Sequence, residues 1–315
     1  MTPLVCIVGL TASGKSALAM DLAEAVPAGI LSVDSMQVYR GFDIGTAKPT
    51  LEEQARVRHF GIDLVEPAER YSAGAFLAYA RGILDSESAA GRHVIAAGGT
   101  GLYLRALLHG IGPAAPADPA VRAQLRAQEA ADPGALHRLL TEVDPDAADR
   151  LHPNDLVRVE RALEVHAITG VPMTRWQEQH RFSERPFRTL LLGLRRDRAT
   201  QRARIRARLD RMVEAGWLEE VAGLLAAGVT EDLTPMVALG YRDIAAHLRG
   251  EIDRDELLRR IERDSMRFAR KQTTWFNREP SIHWLEPTPD LASRLLPVVR
   301  RFLAGDDVTP LLESL

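Results

Sequence analysis

Short apolar runs alternate with segments of helical spacing along the first hundred residues. The strands predicted from these runs are 4–8, 29–33, 59–65 (a short strand or a strand-like link) and 93–97. Between them, residues such as 17–23 and 71–88 repeat their apolar positions with the period of a helix. Strands that alternate with helices predict the α/β class, with a parallel sheet covered by helices.

The pattern changes after residue 112, where 112–119 has the composition of a linker. The helices predicted next are 119–131, 133–141, 145–151 and 155–169. An apolar strand returns at 188–194, and helices over 198–227 and most of 237–279 precede a short strand at 281–285. We therefore predict a core domain formed by 1–112 and 188–315, an all-helical insertion at 113–187, and fraying beyond 303.

Composition limits the class of protein. The chain of 315 residues is 46% hydrophobic and 26% charged, which is typical of a globular protein. Its single cysteine, Cys6, lies in the first apolar run and excludes disulfides and cysteine-based metal sites within the chain. No apolar run approaches the length of a membrane span. We expect a cytoplasmic protein without a membrane partner.

Positive charge is concentrated in two segments although the net charge is −3. Residues 195–211 hold eight arginines and two aspartates, and 259–278 hold seven basic and two acidic residues. Such runs favour a polyanion partner, with solvated helix faces as the alternative. Lysine is rare, since only Lys15, Lys48 and Lys271 are lysines among 40 basic residues. A retained lysine indicates a site that needs a compact ammonium.

The segment GLTASGKS at 9–16 matches G-x-x-x-x-G-K-[ST], the pattern of a phosphate-binding loop. It lies between a predicted strand and a predicted helix, as such a loop requires. Its glycines let backbone N–H groups face an anion, Lys15 adds a positive charge, and Ser16 offers a hydroxyl to Mg²⁺. The sequence therefore predicts a phosphate site here.

Two further strand ends carry candidate chemistry. Asp34 follows the strand at 29–33, and the turn Gly98–Thr100 follows the strand at 93–97. Ligands of open α/β sheets bind beyond the carboxyl ends of the strands, so both should lie near the phosphate loop. Asp34 then has three interpretations: a Mg²⁺ ligand in an ATP-dependent enzyme, a general base, or a structural residue that caps a helix or forms an ion pair. Gly98 and Gly99 stand where many NTPases have an acidic residue that binds the metal ion, which disfavours ATP hydrolysis.

Several motifs together resemble the bacterial tRNA dimethylallyltransferases, also called tRNA isopentenyltransferases. They are GLTASGKS at 9–16, DSMQVYRGFDIGTAKP at 34–49, GGTGLYLRALL at 98–108, HPND at 152–155, RVERALEV at 158–165, GYRD at 240–243 and RKQTTWFNR at 270–278. They occur in the family's order and extend over residues 4–285. Leu10 stands where the family usually has proline, and Ser16 where it often has threonine with the same hydroxyl.

The resemblance implies transfer of a dimethylallyl group from dimethylallyl diphosphate to N6 of an adenosine. This adenosine is 3′-adjacent to the anticodon in tRNAs that read codons beginning with U, and the product is N6-isopentenyladenosine. The implied catalytic residues are Asp34 as general base, Thr100 and Ser16, with Mg²⁺ as cofactor held by Ser16. The implied diphosphate-binding residues are Thr11, Ala12, Ser13, Gly14, Lys15, Ser16 and Arg208.

The resemblance also implies an RNA surface for the anticodon stem-loop. The residues expected to contact tRNA are Asp34, Ser35, Met36, Gln37, Thr100, Arg122, Arg158, Arg161, Arg242 and Lys271. No obligate protein partner is expected, and the chain is expected to act as a monomer. The resemblance implies no role for Lys48, although that lysine lies within one of the motifs.

Three other functions remain open from the sequence. A phosphate loop with Asp34 also fits a kinase of a small metabolite, which leaves the basic runs and the insertion without a purpose. Transfer of the prenyl group to free AMP or ATP would use the same cradle with a smaller acceptor. An RNA-binding module without catalysis would leave Asp34 and Thr100 unexplained.

Overall fold

The structure, a computed structural model, describes residues 1–111, 117–180 and 184–313. The chain divides into two compact units: unit 1 comprises Met1–Leu108 and Arg185–Leu315, and unit 2 comprises His109–Glu184. The insertion predicted from the sequence is 113–187. Residues 112–116 of the predicted linker lie outside the described residues.

Unit 1 is built on a parallel sheet of six strands. They are β1 (Thr2–Gly9), β2 (Ala28–Val33), β3 (His59–Phe60), β4 (His93–Gly98), β5 (Phe187–Leu194) and β6 (Ile282–Leu285). Their spatial order is β3-β2-β4-β1-β5-β6, and every neighbouring pair is parallel. The predicted α/β class and parallel sheet are confirmed. Only the third strand is much shorter than predicted, because the chain turns at Gly61.

Before unit 2, the helices are α1 (Lys15–Ala25), α2 (Leu51–Arg56), α3 (Ala73–Ala89) and α4 (Gly101–His109). Unit 2 contains α5 (Pro119–Ala131), α6 (Ala135–Val143), α7 (Pro145–Arg150), α8 (Leu156–Thr169) and α9 (Met173–His180). After it come α10 (Arg198–Glu214), α11 (Trp217–Ala226), α12 (Tyr241–Leu248), α13 (Arg254–Phe276), α14 (Leu291–Ala304) and α15 (Thr309–Leu312). Within the described ranges, none of these helices has the length and apolar composition needed to cross a membrane.

The central strand β1 is buried on both faces. Val5 and Ile7 pack into one core with α1 and α14, whereas Leu4, Cys6 and Val8 pack into a second core with α3 and α4. A strand covered on both sides has no need for alternating polar residues, which explains its continuous apolar run. Cys6 is fully buried, and burial raises the pKa of its thiol to about 12.

The loop between β2 and α2 is anchored in a third core. Val38, Tyr39 and Phe42 are buried together with Trp217 and Tyr241 from α11 and α12. This anchoring explains how a segment that contains Gly41, Gly45 and Pro49 holds a fixed path without regular secondary structure. The expectation that 303–315 frays is wrong for its described part, because Val308 is buried against the first core and α15 follows it.

Close approach of strands β2 and β4 requires a glycine at the end of β4. A Cβ atom built on Gly98 would overlap the carbonyl of Val33, its partner in the sheet. The absence of a side chain lets the segments after the two strands lie side by side, and these segments begin with Asp34 and Gly99. The functional loops are thus brought together by the sheet itself.

A buried carboxylate, Glu164 on α8, organises unit 2. Arg122 on α5 donates to both carboxylate oxygens at 2.7 and 2.8 Å, and the N–H of Asp118 donates at 2.9 Å. Arg161 on α8 also donates to it. Burial opposes ionisation of Glu164, but these hydrogen bonds outweigh burial and lower its pKa to about 2.

We predict that Glu164→Gln destabilises the protein by about 2 kcal/mol at pH 7, because the two guanidiniums lose their shared counter-charge. A folded-state pKa below the unfolded value of about 4.3 gives stability that is present above pH 5 and is lost as the pH falls toward 2. Denaturant unfolding at pH 7 and pH 3 should show a smaller difference from wild type at pH 3. Glu142→Gln, at an exposed position of α6, is the control. A difference that is the same at both pH values would contradict the ionic role.

Candidate active site

The loop after β1 has the backbone of an anion cradle. Gly14 adopts φ 104° and caps the start of α1, and Ala12 adopts φ 59°. The N–H of Ser13 donates to the carbonyl of Leu10 at 3.1 Å, which closes a tight turn. Lys15 and Ser16 then begin α1, where unpaired N–H groups and the helix dipole favour an anion. The predicted phosphate loop is formed by 9–16.

Four consecutive carbonyls of this loop accept hydrogen bonds from side chains. The pairs are Leu10 with Lys15 (3.3 Å), Thr11 with Gln201, Ala12 with Arg204 (3.0 Å) and Ser13 with Arg196 (3.4 Å). Three of the four donors belong to the first basic run, 195–211. These donors offset the partial negative charge of the carbonyls, so the loop presents a more positive field to an anion.

Lys15, Arg208 and Asp34 share one electrostatic environment. Burial and the neighbouring Arg208 lower the pKa of Lys15 to about 8, and the charge of Asp34 acts in the opposite direction. Burial likewise lowers the pKa of Arg208, with Asp34 again opposing. The guanidinium of Arg208 donates to the Thr11 hydroxyl at 3.4 Å. Two cations and one carboxylate thus lie around the cradle.

Thr100 forms hydrogen bonds with both chain neighbours of Asp34, at the ends of two adjacent strands. The N–H of Thr100 donates to the carbonyl of Val33 at 3.1 Å, and the Thr100 hydroxyl accepts from the N–H of Ser35 at 3.1 Å. Oδ1 of Asp34 accepts from the N–H of Met36 at 2.9 Å, which turns the chain beyond β2. Since β4 lies between β1 and β2, the Thr100 turn stands between Asp34 and the phosphate loop.

The amide of Gln37 is engaged within its own loop. Its Oε1 accepts from the Ser32 hydroxyl at 2.7 Å, and its Nε2 donates to the carbonyls of Thr46 (3.1 Å) and Ala47 (2.9 Å). Both N–H groups of Nε2 therefore hold the loop 36–49 in place. Any contact of this side chain with a substrate would use the remaining acceptor capacity of Oε1.

Lys48 stabilises the same loop, 36–49, from its buried side. Its ammonium, on a side chain only 3% exposed, donates to the carbonyl of Tyr39 at 2.9 Å and to the carboxylates of Asp43 and Asp63. Three acceptors around one small cation suit an ammonium better than a guanidinium fork. The expectation drawn from the rarity of lysine agrees with this environment.

Glu220 on α11 holds the outer side of this loop, a role that is not among the predictions from the sequence. Its carboxylate accepts from the N–H groups of Asp43 (3.0 Å) and Ile44 (2.6 Å) and from the Tyr241 hydroxyl (2.6 Å). No local pattern distinguishes this glutamate from other acidic residues on helix surfaces. Its position shows only when the chain is folded.

A cavity of about 660 Å³ opens beside the cradle within unit 1. Its polar wall includes Lys15, Ser16, Gln37, Lys48, Arg204, Arg208 and Arg211. Apolar contacts come from Met20, Ile30 and Met212. Asp43, Glu53 and Asp63 also line the cavity, and the first and last of these pair with Lys48. The remaining cations beside the phosphate loop, together with the apolar side chains, suit a small ligand with an anionic head and an apolar tail.

Mg²⁺ could be held by Ser16 but not by a ready-made protein cage. Within the described part of the chain, His, Cys, Asp and Glu form no group of three or more that could hold a metal ion. Ser16 lines the cavity next to Lys15. A single hydroxyl fits Mg²⁺, which commonly completes its octahedral shell with phosphate oxygens and waters.

The other residues predicted to contact tRNA lie in different settings. Arg122 and Arg161 are engaged with Glu164, whereas Arg158 is exposed and pairs with Asp155 at 3.0 Å. Arg242 donates to the Glu231 carbonyl, and Lys271 is exposed on α13. Many arginines of the second basic run pair with acidic neighbours on the same helix, as Arg260 does with Glu256. Local pairing reduces the positive field that the sequence composition predicts.

Comparison with known proteins identifies the relatives of this chain. A sequence profile described as "IPP transferase" matches residues 37–279, and one described as "Isopentenyl transferase" matches 2–64. A tRNA dimethylallyltransferase from Geobacter metallireducens is 48% identical over 287 residues, which cover 90% of this chain and 93% of the relative.

Solved structures agree with these relatives. The crystal structure of the full-length tRNA isopentenylpyrophosphate transferase from Bacillus halodurans is 34% identical, has a TM-score of 0.71 and is matched over 96% of this chain and 97% of that one. A eukaryotic dimethylallyltransferase acting on tRNA is 24% identical with a TM-score of 0.84, over 98% of this chain and 81% of that one. The second likeness concerns the fold alone.

We predict that Lys15 gives the cradle an affinity for diphosphate that depends on pH. Below about pH 8 the ammonium is protonated and attracts the anion, whereas above it the free protein has lost that proton and must regain it on binding. Calorimetry with inorganic diphosphate should give wild type on the order of tenfold higher affinity than Lys15→Ala at pH 7. This ratio should fall as the pH rises above 8. The ionisation of diphosphate affects both proteins equally, so it cancels in the ratio. A ratio of affinities that does not change with pH would contradict the role assigned to Lys15.

Proposed function

Because the chain belongs to the family of tRNA dimethylallyltransferases, we propose that its phosphate loop holds the diphosphate leaving group while Asp34 receives a proton from the acceptor adenine. The reaction is the isopentenylation of tRNA. The observation that carries the assignment of roles is the cluster of Lys15, Arg208 and Asp34 around the cradle.

Asp34 is suited to the acceptor side of the reaction. The exocyclic amine of adenine is a weak nucleophile, and a carboxylate that hydrogen-bonds the amine can take its proton as the N–C bond forms. Met36 fixes one oxygen of Asp34, and we assign the other, Oδ2, to the amine. Thr100, which is tied to Ser35, would lie against the reacting carbon.

The cradle is suited to the leaving group. As the amine attacks C1 of the dimethylallyl group, the C1–O bond breaks and negative charge collects on the diphosphate. Loop N–H groups together with Lys15 and Arg208 oppose that charge, and a fixed positive field stabilises it without rearrangement. The departing product is diphosphate, and the proton remains on Asp34 until it is released to water.

Magnesium would complete the cradle. Ser16 would hold Mg²⁺ through its hydroxyl, and the ion would supply further positive charge to the leaving group. The residues of this chain still perform the remaining tasks. Lys15 and Arg208 orient the diphosphate, and the apolar contacts of Met20, Ile30 and Met212 reduce access of water to the allylic carbon.

Recognition of tRNA would combine several surfaces. The target adenine must leave its stack to reach Asp34, Ser35, Met36 and Gln37, as in other enzymes that modify bases. We assign phosphate contacts in the anticodon stem-loop to Arg158, Arg242 and Lys271. Arg122 and Arg161 are assigned to tRNA as well, and Glu164 holds both of them in position. The all-helical insertion thus has a role in RNA binding. A monomer located in the cytoplasm stays a prediction.

The decisive experiment is to incubate the protein with dimethylallyl diphosphate, Mg²⁺ and unmodified tRNA and to identify the nucleosides by mass spectrometry. We expect N6-isopentenyladenosine at the adenosine 3′-adjacent to the anticodon. Parallel reactions contain AMP or ATP as the acceptor. Prenylated AMP without modified tRNA would favour the small-acceptor alternative, and consumption of ATP alone would favour a kinase.

We predict that Asp34→Asn lowers the rate of prenyl transfer by at least about 100-fold, because an amide accepts no proton at neutral pH. The variant keeps an oxygen that can accept from Met36, so the loop should retain its path. Single-turnover kinetics measure the rate, and calorimetry should show that inorganic diphosphate binds at least as tightly as to wild type, because a negative charge near Lys15 and Arg208 is removed. Asp21→Asn, at an exposed position of α1, is the matched control. A rate close to wild type would remove Asp34 as the base.

A further inference from the structure

The side chain of Gln272 connects two loops of the active site, and the predicted site residues do not include it. Gln272 lies on α13 and is only 4% exposed. Its Oε1 accepts from the N–H of Thr11 at 2.8 Å, and its Nε2 donates to the carbonyl of Gly99 at 3.0 Å. One amide therefore contacts both the loop after β1 and the turn after β4.

The turn after β4 is shaped to receive this part of α13. A Cβ atom on Gly99 would overlap Nε2 of Gln272, and one on Gly101 would lie 2.8 Å from ring atoms of Trp275. Positions 272 and 275 are one turn apart, so they lie on the same face of α13. The helix packs against the turn over two successive positions, which leaves Gln272 little freedom to move alone.

The peptide unit of Thr11 is held by two buried glutamines. Gln272 accepts from the N–H group of Thr11, and Gln201 on α10, which is 3% exposed, donates to its carbonyl. On the other side of Gln272, the turn at Gly99 leads into Thr100, whose hydroxyl binds the N–H of Ser35. A continuous chain of hydrogen bonds and covalent links thus runs from the phosphate loop to the residue after Asp34.

We propose that Gln272 is a positioning residue that sets the separation between the diphosphate loop and the Thr100–Asp34 side of the site. This proposal rests on the proposed function, in which the first side holds the leaving group and the second holds the adenine amine. Transfer requires the two reacting atoms to approach within about 3–3.5 Å, and a shift on the order of 1 Å can cost up to about 100-fold in rate.

The chemistry of a glutamine fits this role. The gap between the N–H of Thr11 and the carbonyl of Gly99 requires one acceptor and one donor on a single side chain, which a primary amide provides. A glutamate has the same shape and only acceptors. A methionine has a similar length and provides neither of these hydrogen bonds.

The test compares Gln272→Met and Gln272→Glu with wild type. Thr274→Ala is the matched control, because Thr274 is an exposed neighbour on α13 whose hydroxyl bonds only within the turn to the Arg270 carbonyl. The measurements are kcat and the KM of each substrate with unmodified tRNA, the affinity for inorganic diphosphate by calorimetry, and the melting temperature. Glu keeps the hydrogen bond from Thr11 and Met keeps the packing, so at least one variant should fold.

For Gln272→Met we expect kcat to fall about 10–100-fold while the KM for tRNA stays within about twofold. Gln272→Glu should lower kcat similarly and also weaken binding of inorganic diphosphate, because it places a negative charge beside the cradle. The control should match wild type. A kcat like wild type in both folded variants would overturn the proposal, and so would a loss confined to the KM for tRNA.

Failure of the two proposals can be told apart. If wild type does not prenylate tRNA, the proposed function is wrong, and diphosphate affinity still reports whether Gln272 supports the cradle. If wild type is active and the variants are equally active, only the positioning role is wrong.

Discussion

In a loop whose N–H groups face an anion, the carbonyl groups still need hydrogen-bond donors. In this protein the donors are side chains of unit 1. The carbonyls of residues 10–13 are bonded by Lys15, Gln201, Arg204 and Arg196. Helix α10 therefore supports the phosphate loop as well as carrying charge. The sequence of this arginine-rich helix looks like an RNA surface, but Gln201, Arg204 and Arg208 contact the phosphate loop.

The order of the strands sets the distance between the two sides of the proposed reaction. In that proposal the leaving group lies at the end of β1 and the base, Asp34, follows β2, and β4 lies between them with the Thr100 turn. Neighbouring strands in a sheet are about 4.8 Å apart, so two spacings set the scale of the site. The loop 36–49 is then fixed by Lys48 from inside and by Glu220 from outside.

The sequence predicts the features that depend on near neighbours. The strands are recognisable because both faces of the sheet are covered, and the phosphate loop because its conformation depends on eight consecutive residues. Helix α5 was predicted correctly because Asp118 caps it and Pro119 opens it. Helix α9 was not predicted because it is only eight residues long and mostly polar.

Other features depend on contacts between distant positions. Gln272 meets Thr11 across 261 positions, and Glu220 meets Ile44 across 176. No window of the sequence contains both partners, so neither role could be predicted.

These distant contacts also have a consequence for synthesis of the chain. The phosphate loop is made among the first residues, but the glutamines that hold Thr11 leave the ribosome only after unit 2 and β5 have been made. A nascent chain thus carries the phosphate loop long before α10 and α13, which support that loop, have been made.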